Sequence, residues 1–218
     1  MSTLAQRQAF NVIRKAYAAK GRKPVTTAST LRLIQPVVSN KTAYTFPVIE
    51  GDSAVNLPEQ ILLNRADAFT AVEVGVFIGG LTDAGAASAD GNYQLFGYQS
   101  EAMTTAGMTS AKMLFFNSYL NIAVNNVQYL QNYDLYRCYN APIIQTGNVF
   151  ATGGDTTAQN SVSGQSGFAG LTPTLQFSGT SKIDITINLP ASLSTTAACQ
   201  INLIFRGFLS LGASNLNK

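Results

Sequence analysis

The sequence has no histidine and no tryptophan, and two cysteines in 218 residues. Without histidine, Ser-His-Asp and Cys-His nucleophilic systems, the usual zinc sites and the commonest general base near neutral pH are excluded. Catalysis would have to rest on paired carboxylates, a lysine, or a metal held by oxygen alone. Cys138 and Cys199 are too few to define a disulfide framework, and two buried thiols are favoured over one bridge. Charge is scarce too: 11% of residues are charged, against roughly 25% in an ordinary soluble domain. Two readings of that scarcity stand. Either much of the surface is buried against neighbouring subunits, since interface cores are depleted in charge, or Ser, Thr, Asn and Gln solvate it. The mean hydropathy of +0.11 leaves apolar surface to hide and favours the first.

Acids are missing altogether before Glu50, while eight bases precede it: Arg7, Arg14, Lys15, Lys20, Arg22, Lys23, Arg32 and Lys41. From Glu50 onward eleven acids meet six bases, for a net charge of −5. An acidic body carrying a basic arm points to an anionic partner for the arm. The first fifteen residues hold three bases and no apolar run long enough for a signal-peptide core, so Sec export is not expected. The uncharged stretch Met113 to Tyr133 is long enough to span a bilayer, but its seven Asn and Gln side chains would be costly there and suit strands better.

The stretch from Thr3 to Lys20 lacks Gly and Pro, and Phe10, Ile13 and Tyr17 recur at i, i+3, i+7. This predicts a helix with one apolar stripe, stopped by Gly21 and Pro24. Either that helix docks on its own domain with a solvated charged face, or it is an arm that touches nucleic acid or an anionic lipid surface. Beyond it, Pro24, Pro36, Pro47 and Pro58 punctuate the chain at intervals expected of consecutive strands. The clearest strand is Phe69 to Ile78, whose Val72, Val74, Val76 and Ile78 should form one core face. Further strands are predicted at Tyr93–Tyr98, Lys112–Phe116, Tyr119–Val124, Val127–Gln131, Ile143–Phe150, Thr174–Phe177, Lys182–Leu189 and Gln200–Leu211. Asn125-Asn126 is a candidate tight hairpin turn. Two Gly-rich stretches, Gly79–Gly91 and Thr152–Gly170, read as loops, the second long enough to be functional, flexible or ordered by a neighbour.

Candidate chemistry is thin. Glu50 and Asp52 are the nominable carboxylate pair, but Gly51 and Ser53 beside them suggest a solvated turn. Asp83, Asp90 and Asp155 lack the ligand density and spacing of a calcium loop. No Gly-rich stretch ends in Gly-Lys-Ser/Thr or opens a helix, so phosphate cradling has no support. Tyr129, Tyr133, Tyr136 and Tyr139 suggest a stacking platform for bases or sugars. Strand alternation would not put all four on one face, which favours packing.

The order of parts resembles jelly-roll viral coat proteins. An acid-free basic arm (Arg7, Arg14, Lys15, Lys20, Arg22, Lys23) precedes eight or more short strands with long small-residue loops. The stretches LFFNSYLNIAVNN, LQFSGTSKIDITINLP and INLIFRGFLSLG look like the strand-turn-strand text of bacteriophage virion proteins. The resemblance implies an all-β, jelly-roll type β-sandwich, single rather than double, with residues 1-24 as a basic amphipathic arm and 25-218 as the body. It implies a non-enzymatic capsid subunit of the virion without cofactor or metal. Its partners would be copies of itself in a symmetric shell and other virion proteins. The six arm bases would face nucleic acid, an internal membrane or a neighbouring subunit. One departure from the family is that the arm is no dense Arg tract, and Phe10, Ile13 and Tyr17 give it an apolar face. The alternative expectation is a receptor- or carbohydrate-binding β-sandwich.

Overall fold

The computed structural model describes residues 4–19, 21, 24–52, 57–81, 94–98, 103, 107, 110–140 and 167–214. Within them, alternating apolar residues and turn signals produce nine strands: β1 (Thr26–Pro36), β2 (Ala43–Phe46), β3 (Ala68–Leu81), β4 (Gln94–Phe96), β5 (Tyr119–Val124), β6 (Val127–Asp134), β7 (Phe168–Ser178), β8 (Ile183–Asn188) and β9 (Gln200–Ser210). Helix α1 spans Leu4–Ala19, helix α2 spans Ala111–Phe116, and a 3-10 turn covers Leu135–Cys138. Pro36 closes β1 and Pro47 follows the end of β2, where a residue without an N–H interrupts a ladder. The segment from Pro47 to Pro58 forms no regular strand among its described residues.

All pairings between the described strands are antiparallel, and the strands form two sheets. One runs β1-β9-β3, with β7 and β4 in tandem along the far edge of β3; the other runs β2-β8-β5-β6. Their inner faces share one core that includes Leu33, Leu203, Phe205, Val76 and Phe177 from the first sheet and Tyr44, Phe46, Ile122, Ile185 and Ile187 from the second. Each such side chain contributes about 1.5–3 kcal/mol when fully buried. In β8, where Ile183, Ile185 and Ile187 alternate with Asp184, Thr186 and Asn188 in the sequence, Ile185 and Ile187 are buried and Asn188 is exposed. Asn125 and Asn126 both adopt positive φ, 52° and 65°, the backbone a two-residue hairpin between right-twisted strands requires.

Four strand expectations change. The predicted strand Lys112–Phe116 is part of α2, because Ala, Lys, Met and Leu favour helix and Ala111, Leu114 and Phe115 bury one helical face. In β3 the ladder shifts between Ala71 and Glu73, so Phe69 and Ala71 join Val74, Val76 and Ile78 in the main core while Val72 does not. The bulge inverts the alternation at that point. Gly79 to Leu81 extend β3 and Phe168 to Gly170 open β7, so both Gly-rich stretches give up residues to strands. The rest of those stretches, and the strand expected at Ile143–Phe150, lie outside the described residues.

The strand directions sort the connections by end. The described strand ends that flank 37–42, 82–118, 135–167 and 189–199 lie at the first end, and those that flank 47–67, 125–126 and 179–182 lie at the second. Both long Gly-rich stretches therefore leave from the first end.

Candidate interaction surfaces

Helix α1 sits at the second end. Its apolar stripe buries Ile13 and Tyr17 in a small cluster with Ala68 and Ala213, against Phe208. Phe10 meets the ring of Phe208 at 5.4 Å between centroids, and Gln176 Nε2 donates to the Tyr17 hydroxyl at 3.3 Å. This is the docking the i, i+3, i+7 spacing requires of a helix too polar to be buried all round. Arg7, Arg14 and Lys15 are exposed. Seven residues apart, Arg7 and Arg14 share one flank. Arg14 and Lys15 make no ion pair with a described residue. Lys20, Arg22 and Lys23 lie outside the described residues, so the structure assembles half of the predicted basic set.

At the first end the structure brings together aromatics that the sequence keeps apart. The 3-10 turn puts Tyr136 and Tyr139 on one side, nearly parallel at 12° with centroids 6.4 Å apart. Phe116, at the end of α2, closes on both, at 5.3 Å and 4.8 Å. Tyr136 is 53% exposed and Phe116 44%. Asp134 fixes the turn by accepting from the Tyr136 backbone N–H at 2.9 Å, and Arg137 lies over the ring of Tyr133. Of the four tyrosines nominated from the sequence, two join this cluster. Tyr133 instead packs on the core, where burial raises its phenol pKa, and Tyr129 stands exposed on β6. Phe116 was hidden by its assignment to a strand. The spacing of three between Tyr136 and Tyr139 is the available signal, since residues three apart align in a 3-10 turn.

The carboxylate pair is a turn. Glu50 Oε2 accepts from Asn64 Nδ2, and Asp52 pairs with Arg65 at 2.8 Å, with the paired side chains 49% and 69% exposed. Asp83, Asp90 and Asp155 lie outside the described residues, and among those described no cluster of His, Cys, Asp or Glu could hold a metal. Cys138 and Cys199 are unbridged and buried, as expected. Burial pushes the Cys138 thiol up to about 12 and the Cys199 thiol up to about 11, so both are neutral and poor nucleophiles at physiological pH. Cys138 plugs the flank where β3 passes from β7 to β4, its sulfur 3.5 Å from the Val74 carbonyl. No helix among the described residues is long and apolar enough to cross a membrane; Met113–Tyr133 is divided among α2, β5 and β6. Comparison with known protein families, curated proteins and solved structures finds no match for this chain.

Proposed function

We propose that this chain is a non-enzymatic structural subunit of a self-assembling shell, a virion coat protein built on a single jelly roll. In this reading the basic N-terminal helix faces nucleic acid, an internal bilayer or a neighbouring subunit. The observation that carries it is the strand order. The orders β1-β9-β3-β7 and β2-β8-β5-β6 are those of an eight-stranded antiparallel ribbon wound into two sheets, the double Greek key of jelly rolls. Only β4 stands outside that pattern.

Jelly rolls serve both capsid and lectin domains, so fold alone does not select a function. Charge favours the shell. A surface this poor in charge suits broad contacts with copies of itself, and α1 pairs an apolar stripe that anchors it with a cationic flank turned outward. Size-exclusion chromatography with light scattering tests the reading: assemblies well above the 23.2 kDa chain mass are expected. A monomer at every concentration and salt tested would overturn it.

The exposed pair Phe116 and Tyr136, backed by half-buried Tyr139, favours a second reading, a receptor- or saccharide-binding sandwich, because sugars stack on exposed aromatic faces. That reading predicts loss of glycan-array binding in Tyr136→Ala. An array without hits on the unsubstituted chain removes it.

A further inference from the structure

The apolar stripe of α1 is already occupied. Phe10 meets the ring of Phe208, Ile13 and Tyr17 are buried with Ala68 and Ala213, and the Tyr17 hydroxyl accepts from Gln176. An amphipathic helix holds to a bilayer by sinking such a stripe among the headgroups, with its bases adding electrostatic attraction. The face of α1 turned away from the body has no stripe to sink: among its described side chains the large apolar one is Val12, 64% exposed. Docking leaves charge as the property that α1 presents.

That charge is ordered along the helix. Arg7, Asn11 and Arg14 stand at i, i+4 and i+7, and Lys15 follows Asn11 by four, so the four side chains share one side of the helix over about 12 Å. All four are exposed. The helix contains no acid, and the first acid of the chain is Glu50. A neighbouring copy is a poor counterpart for these bases. Of the seven acids among the described residues, Asp52, Glu73 and Asp184 pair with Arg65, Arg206 and Lys182. Glu50 accepts from the Asn64 amide, and Asp67 and Asp134 accept from the backbone N–H groups of Gly212 and Tyr136. Six of the seven, all but Glu59, are thus engaged within their own molecule, three of them beside a cation that offsets their charge.

We infer that the face of α1 formed by Arg7, Asn11, Arg14 and Lys15 binds the phosphate backbone of nucleic acid, without reading its bases. A nucleic acid strand is a dense line of negative charge that basic side chains neutralise with no apolar anchor. The guanidinium forks of Arg7 and Arg14 suit bidentate contact with phosphate oxygens, and the Asn11 amide between them is a further phosphate donor. Phe10, Ile13 and Tyr17 fix the helix on the sandwich, so these groups are held ready and little ordering accompanies binding. The inference rests on the proposed function in taking α1 as a contact surface, and it selects one of the three partners open to that surface.

The test titrates a labelled mixed-sequence single-stranded oligonucleotide with the full chain, starting below the concentration at which light scattering reports assembly, so that α1 is accessible. The double variant Arg14→Gln, Lys15→Gln is compared with Lys112→Gln, Arg137→Gln, which removes the same charge from exposed side chains at the opposite end. All four positions are on the surface, so the thermal midpoint should be unchanged in both. The α1 variant should bind about tenfold more weakly at physiological salt, with the slope of log K against log salt shallower by about 1.4 for two lost phosphate contacts. The comparison variant should bind as the unsubstituted chain does. Equal weakening by both variants, or no binding by the unsubstituted chain, overturns the inference. Sedimentation with vesicles of equimolar phosphatidylcholine and phosphatidylserine, by a chain indifferent to the oligonucleotide, overturns it in favour of a bilayer. A chain that assembles without binding the oligonucleotide contradicts the inference and leaves the shell reading intact. One that binds it through α1 but stays monomeric at every concentration contradicts the shell and leaves the inference standing.

Discussion

Gly207 illustrates how a single residue answers to the fold. It stands on β9 opposite the point where the β3 register shifts, and a Cβ there would run into the Thr70 carbonyl oxygen and lie 3.1 Å from Ala71 Cα. Backbone cannot yield as a flexible side chain does. Gly207→Ala should cost about 1–3 kcal/mol or more in chemical unfolding; an unchanged midpoint would remove the bulge from the account. The two thiols set a pH dependence. Their folded pKa values, about 12 for Cys138 and about 11 for Cys199, lie above the unfolded value of about 8.5. Between those limits the unfolded chain has released protons that the folded chain retains, so stability falls as pH rises from about 9 towards 11, and it is unaffected below. Replacing both cysteines with alanine should flatten that part of the stability curve. A fall of equal steepness in the double variant would assign it elsewhere, to Tyr44 and Tyr133, whose phenols burial also raises. Part of this level was legible in the sequence: Asn125-Asn126 announced its turn, and the alternation in β8 announced its buried face. Val72 did not announce its departure from the core, because a bulge is a pairing event between distant strands and leaves no local signature.

At the scale of elements, α1 is an attachment to the body. None of its described buried residues belongs to the main core; Ile13 and Tyr17 pack in a cluster of their own. Removing residues 1–23 should therefore leave cooperative unfolding, with the thermal midpoint lowered by about 4–8 °C for a loss near 2 kcal/mol. Loss of cooperativity would mean that the helix is integral to the β body. If the arm binds polyanions through all six of its bases, log K should fall with log salt at a slope of about −4 to −5. A flat response would assign α1 to protein contacts. Helix α1 is legible in its stripe and its glycine stop, whereas the composition of α2 points to a strand. Its Phe115-Phe116 pair imitates strand composition, and the deciding contacts come from the 3-10 turn about twenty residues later. The same long-range approach explains why the aromatic cluster could be nominated only in part.

For the whole molecule, the scarcity of charge and the order of strands point the same way. A two-layer antiparallel sandwich with one shared core and short or irregular edge strands has the character of a tile. Its basic helix at one end and its Phe116–Tyr136–Tyr139 cluster at the other give it polarity along the strands. Electron microscopy of the purified full-length chain in negative stain tests that account most directly. The account predicts closed shells, rings or arcs of repeating subunits. A field of separate particles of single-chain size, at concentrations well above those of the scattering experiment, would contradict it.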